Sequence, residues 1–223
     1  MLELSIEKEL FKRSEVIFDK LEKYGFIKKN NYYLYEKNFL NDDFKAIITI
    51  DTKGIVNGKV IDLQTNEEYT NINTDMSGNF VNEVRNEYKQ ILNSIKANCF
   101  ENNYFISKQA NRITKYIKEK YNNTPEFLWE KFKDYGVFRN SNNDKWYAII
   151  MNINLSKLNI GNHEAEIINV KLSENKVNEL LNEKGYYQAY HMNKKNWISI
   201  VLDDTLEDNN IIKLIDASYD LIK

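Results

Sequence analysis

Hydrophobic and polar positions change period several times along the chain. Ile6, Leu10, Val16, Ile17 and Leu21 recur at three-to-four spacing over 5–24, with Arg13 in the same register and charges between, which predicts one amphipathic helix. Gly25 stands where a helix commonly ends. Three strand-like runs follow, at 31–38, 44–51 and 55–63, the last two joined by the turn Asp51-Thr52-Lys53-Gly54. A second helix is predicted over 77–98 from the stripe Phe80, Val81, Val84, Tyr88, Ile91, Leu92 and Ile95. This α-β-β-β-α run reads as a domain covering about 1–100.

After the short polar stretch 99–104 the pattern restarts. Ser107 is placed to cap a helix to Tyr121, with Ala110, Ile113 and Ile117 on one face. Pro125, the only proline, with Thr124 as cap, predicts a further helix reaching Tyr135. Strands are predicted at 137–139, 145–153, 164–172, 187–190 and 196–202. Ser173 is expected to cap a helix to about 182, and a last helix spans about 207–222. The second domain therefore covers about 106–223. The fold class expected is α+β: two domains, each an antiparallel sheet flanked by helices. Leu21-Glu-Lys-Tyr24-Gly25-Phe26 echoes Phe132-Lys-Asp-Tyr135-Gly136-Val137, which leaves open whether the halves are copies.

Length fits two domains of about a hundred residues each. With 42% hydrophobic and 29% charged residues the chain falls in the globular class. No apolar run approaches the roughly 20 residues needed to span a bilayer. The acidic start is unlike a secretory signal, and the single Cys99 closes no internal disulfide. A cytoplasmic protein is the expectation. The richness in Lys, Asn and Ile, with few Gly and Pro, suits an AT-rich genome and a bacterial source. Net charge is −2, so any nucleic-acid contact has to be a local patch.

Catalytic signatures are scarce. The seven glycines form neither GxGxxG nor GxxxxGK; there is no CxxC, no HExxH and no nucleophile elbow. Asp42-Asp43, Glu67-Glu68 and Asp203-Asp204 read as solvated turn charges. The expectation is a non-enzymatic binding protein without cofactor or metal.

One segment stands out. From Gly185 to Trp197 the chain holds Tyr186, Tyr187, Tyr190, His191, Lys194, Lys195 and Trp197 between two strands. Basic residues interleaved with aromatics suit phosphates and base faces, while the same residues also suit a hairpin that plugs the core. Several stretches of 106–223 resemble the MmcQ/YjbR family. They are Thr124-Pro125-Glu126 with Trp129, Asp134-Tyr135-Gly136-Val137-Phe138-Arg139, Lys145-Trp146-Tyr147-Ala148, Asn169-Val170-Lys171-Leu172, Tyr190-His191-Met192-Asn193-Lys194 with Trp197, and Ser218-Tyr219-Asp220-Leu221. Two positions depart from the family pattern: Lys133 stands for a frequent Pro and Ser173-Glu174 for a frequent Asp-Pro. The resemblance implies a compact α+β fold of frataxin-like, double-wing topology and a DNA-binding label that rests on fold analogy.

Carried over by position, the implied contact residues are Arg139, Lys145, Lys171, His191, Asn193, Lys194, Lys195 and Trp197. For several of these the residues alone leave alternatives: His191 as a core histidine, Asn193 as a turn residue at positive φ, and Trp197, like Trp146, as core. A second basic feature is the helix from Ser107, where Lys108, Arg112, Lys115, Lys118 and Lys120 face only Glu119. If that helix abutted the His191 loop, the two would form one phosphate-sized patch. DNA is thus one expected partner. The rival is a small-molecule or protein ligand on an aromatic-rich sheet surface. A frataxin-like metal role would need Glu3, Glu7, Glu9, Glu15, Asp19 and Glu22 as an acidic cluster, but cations are interleaved with them.

Overall fold

The computed structural model describes residues 5–74 and 78–223. Glu3 and the expected helix start at 77 lie outside them. The chain divides into two compact units, Met1–Asn103 and Tyr104–Lys223.

In the N-terminal unit the expected single helix is broken. Helix α1 spans Ile6–Phe11, strand β1 spans Ser14–Val16, and helix α2 spans Phe18–Tyr24. The break has a tertiary cause. β1 pairs antiparallel with β7, Phe100–Asn102, and the Ile17 N–H donates to the Cys99 carbonyl at 2.8 Å. A distant partner overrides a helical period that the β-branched Val16 and Ile17 support only weakly. Gly25 does end α2, at φ 121°, a value that favours glycine.

The strands β2 (Ile27–Lys28), β3 (Tyr32–Phe39), β4 (Phe44–Asp51), β5 (Val56–Asp62) and β6 (Glu67–Glu68) form an antiparallel meander in chain order. Strict alternation in β4 buries Phe44, Ala46, Ile48 and Ile50 on one face. Against that face lies α3, Asn79–Cys99, through Val84, Tyr88, Ile91, Leu92 and Ile95. Phe80, expected on the stripe, is 56% exposed at the first turn. Glu7 is buried and accepts a short hydrogen bond from the Tyr88 hydroxyl. Burial and the Glu7 charge hold that hydroxyl far above the ordinary phenol range.

The C-terminal unit carries helix α4 (Lys108–Tyr121), capped by Ser107 as expected. It continues through β8 (Glu126–Phe127), β9 (Gly136–Arg139), β10 (Trp146–Asn154) and β11 (Glu164–Lys171). Helix α5 (Glu174–Leu180), β12 (Tyr186–Gln188), β13 (Trp197–Val201) and helix α6 (Asp208–Leu221) complete it. The helix expected from Pro125 does not form. Glu126 and Phe127 pair instead with Val137 and Gly136. Gly136 is the first residue of a strand and Gly25 a helix cap, so the sequence echo between the halves marks no shared turn.

The six strands order β12-β13-β11-β10-β9-β8, all antiparallel. Alternation splits this sheet into two covered faces. On one face Ile168, Val170, Ile198 and Ile200 pack against α4, α5 and α6. On the other, Val137, Ile149, Met151, Ile153, Ile167 and Val201 pack under Trp129, Tyr135, Leu158, Tyr187 and Tyr190. No helix of the described residues is long and apolar enough to cross a membrane.

The helical layer is tied by ion pairs with a pH signature. Arg112 hydrogen-bonds Asp208, which holds its carboxyl below the ordinary 3.8 despite partial burial, with Gln109 assisting. Burial pushes Asp216 up, but hydrogen bonds from Lys120, Tyr121 and Tyr116 outweigh it and leave that carboxyl lowered too. Carboxyls depressed on folding stabilise above their unfolded pKa, and this stability is lost as pH falls through the folded value. The melting temperature read by Trp fluorescence is therefore expected to fall between about pH 5 and about pH 3, and to fall less steeply in Asp216→Asn. A melting temperature unchanged across that range contradicts the assignment.

Candidate nucleic-acid interface

The helix-free face of the C-terminal sheet carries a groove. Two cavities of about 370 and 310 Å3 adjoin there and share Lys157 and Tyr190. The first lies between the loop 131–135 and the end of β10, with Lys131, Phe132, Lys133 and Tyr135 on one side and Glu164 on another. The second lies between 157–159 and 187–191, with Tyr187, His191 and Lys194 in its wall. Four lysines thus meet the two carboxylates Asp134 and Glu164. None of these four ammonium groups is ion-paired among the described residues, unlike Arg112 or Lys120. The local balance is positive although the chain is acidic.

Aromatic rings stand among these cations. Phe132 is 50% exposed and stacks on Tyr135, ring centroids 4.9 Å apart at 20°. The rings of Tyr190 and His191 lie 4.0 Å apart. Burial, with Tyr190 and Glu164 nearby, raises the Tyr135 hydroxyl above its ordinary value. That is the opposite of what an activated tyrosine base requires.

Two fully buried polar residues fix the groove wall. Ser199 Oγ donates to Asn169 Oδ1 at 2.5 Å and accepts the Tyr190 N–H at 3.0 Å. Asn169 Nδ2 donates to the Tyr190 carbonyl at 2.8 Å. Both backbone groups of Tyr190 are thus held from within the sheet, and the chain turns immediately afterwards through His191 at φ 56°. Replacing Asn169 by Leu orphans the Tyr190 carbonyl and the Ser199 hydroxyl, at an expected cost of about 2–4 kcal/mol. Urea denaturation followed by Trp fluorescence checks it; an unchanged midpoint would mean that water replaces the amide.

The residues expected from sequence scatter. His191 and Lys194 line the groove. His191 is exposed, so it is no core histidine. The positive φ expected at Asn193 sits at His191; Asn193 instead accepts the Lys195 N–H on its side chain and the Asn196 and Trp197 N–H groups on its carbonyl. Lys195 leans towards Glu174 of α5, 3.7 Å away. Trp197 is 6% exposed, so of its two readings the core one holds and the implied contact role is corrected.

Lys171 ends β11 and pairs with Trp197; Glu164, at the groove, begins the same strand. Seven residues at about 3.3 Å each place Lys171 roughly 23 Å from Glu164, although Lys194 on the other side of the groove stands only three residues before Trp197, the strand partner of Lys171. Arg139, paired with Trp146, and Lys145, just before β10, lie at the Lys171 end too. Arg139 bonds Glu126 at 2.7 Å. Lys108, Arg112 and Lys115 project from α4, which packs on the opposite face of the sheet. The helix does not abut the loop, so the single patch that such a contact would have made does not form. Arg112, moreover, is engaged by Asp204 and Asp208. Among the acids that a metal role would need, Glu7 is buried against Tyr88, and no group of three or more His, Cys, Asp or Glu with metal-holding geometry stands among the described residues.

Sequence reasoning missed Lys131, Lys133, Lys157 and Tyr135 as groove residues, whereas Tyr187 falls in the 185–197 segment that it singled out. Lys131 and Lys133 were hidden in the misread helix. Lys157 sits on a 3-10 turn, Leu155–Leu158, far from them in the chain.

An α+β unit with a cationic, aromatic groove on its helix-free sheet face is the class that this geometry defines. Comparison with known proteins adds the family. A family model described as YjbR matches residues 118–221, all within the C-terminal unit. The uncharacterized protein YyaQ of Bacillus subtilis (strain 168) is 40% identical over 112 residues, covering 50% of this chain and 95% of that protein. A crystal structure and a solution NMR structure from Pseudomonas syringae share 41% and 40% identity, with TM-scores of 0.49 and 0.48. They cover 50% and 51% of this chain, and 97% and 92% of their own. Through its C-terminal half the chain belongs to the YjbR family, the family that the His191-to-Trp197 string resembles.

Proposed function

We propose that the C-terminal unit is a non-catalytic binding module for nucleic acid and that its contact surface is the groove of Lys131, Lys133, Lys157 and Lys194. The observation that carries this reading is the convergence, from three separate segments, of four unpaired lysine ammonium groups around exposed aromatic rings. Unpaired cations give affinity for phosphates and release counterions on binding; aromatic faces hold bases without regard to sequence. The cations of α4 contribute less, because Arg112 and Lys120 are already neutralised by carboxylates.

Fluorescence anisotropy of labelled oligonucleotides with the full chain, across a salt series, tests the reading. Three to four phosphate contacts predict a slope of log affinity against log salt of about −2 to −3. An affinity that does not respond to salt, or no binding at low salt, overturns it.

A further inference from the structure

We infer that the groove accepts single-stranded nucleic acid, two successive nucleotides at a time, and discriminates against duplex. The inference rests on the nucleic-acid reading above. Two cavities of about 370 and 310 Å3 share one wall, Tyr190 and Lys157. Each is at the low end of the size range for a single small ligand. Each is served by a ring pair: Phe132 on Tyr135 in the first, and His191 against the shared Tyr190 in the second. The shared Lys157 lies where the phosphate joining two nucleotides would sit, while Lys131 with Lys133 and Lys194 flank the two outer positions.

Stacking on these rings needs a free base face. A duplex buries its base faces in its own stack and presents only backbone and groove edges. Reading a duplex usually requires an element that enters the major groove. No α-helix of this unit is available on this side, because α4, α5 and α6 all pack on the other face of the sheet. The groove wall is also preorganised for a fixed spacing, since Asn169 and Ser199 hold both backbone groups of Tyr190.

The test is anisotropy at low salt with the full chain, using oligothymidylate and a mixed-sequence duplex of the same length, for wild type, Tyr190→Leu and Phe132→Leu. The half-exposed Phe132 serves as the second variant because its replacement does not touch the core. The single strand is expected to bind at least about tenfold tighter than duplex, and each variant to lose about tenfold on the single strand with the salt slope unchanged. In competition, the thymidylate dinucleotide is expected to outperform the mononucleotide by about tenfold, because it fills both stacks. Duplex bound as tightly as single strand, variants that lose nothing, or equal competition by mono- and dinucleotide overturns this inference and leaves the broader reading intact. Failure to bind either form at any salt overturns both.

Discussion

Reversing two groove charges, Lys131→Glu with Lys157→Glu, is expected to lower nucleic-acid affinity by more than about a hundredfold at low salt. Each substitution removes a phosphate contact and adds a repulsive carboxylate beside Asp134 or Glu164. Both lysines are exposed and no ion pair holds them among the described residues, so the fold has little to lose. The control is an equal charge change on the other face of the sheet, Lys108→Glu with Lys118→Glu on α4. That variant keeps the groove, and its affinity is expected to fall by a few-fold at most, through long-range field alone. Comparable losses in the two variants would mean that net charge, rather than this groove, governs binding.

The second large effect concerns stability. Gly58→Ala is expected to unfold the N-terminal unit. A Cβ at Gly58 would stand 1.9 Å from the Tyr88 hydroxyl oxygen and 2.8 Å from Glu7 Oε1. Neither can step aside cheaply, because Tyr88 is fully buried and Glu7 nearly so. Overpacking and the loss of a buried hydrogen bond to a carboxyl together cost on the order of 3–5 kcal/mol. A cost of that size rivals the whole stability of a small domain. All three Trp residues lie beyond position 104, so their fluorescence reports the C-terminal unit. The expected signature is a loss of far-UV helical signal and of amide protection in α3, with Trp emission unchanged. Gly78→Ala, where a Cβ meets open space, is the matched control.

Local signals in the chain were enough for elements whose partners are near. The strand-like run 44–51 coincides with β4 at both ends. The Ser107 cap and the Ala110, Ile113, Ile117 face place α4. Two readings failed where a distant partner decides. Ser14–Val16 continues a helical period, yet Phe100–Asn102 captures it as a strand. Thr124-Pro125 looks like a helix start, yet Gly136 and Val137 recruit the next two residues into the sheet.

The site divides in the same way. The dense 185–197 segment announced itself, and His191 and Lys194 do face the groove. Lys131, Lys133 and Lys157 are ordinary surface lysines in sequence; only the antiparallel pairing from β8 across to β12 sets their loops beside the 187–194 turn. No pattern in the sequence could reveal that α4 falls on the far face, since both faces of the sheet are apolar.

A two-dimensional NMR titration of the full, isotope-labelled chain with oligothymidylate tests the central claim most directly, since it reads the location of contact residue by residue. The account predicts shifts concentrated at 131–135, 152–158 and 187–194, with the indole signal of buried Trp197 and the amides of α4 barely moved. Shifts centred on α4, or at the Arg139, Lys145 and Lys171 end of the sheet, would contradict the groove as the binding surface.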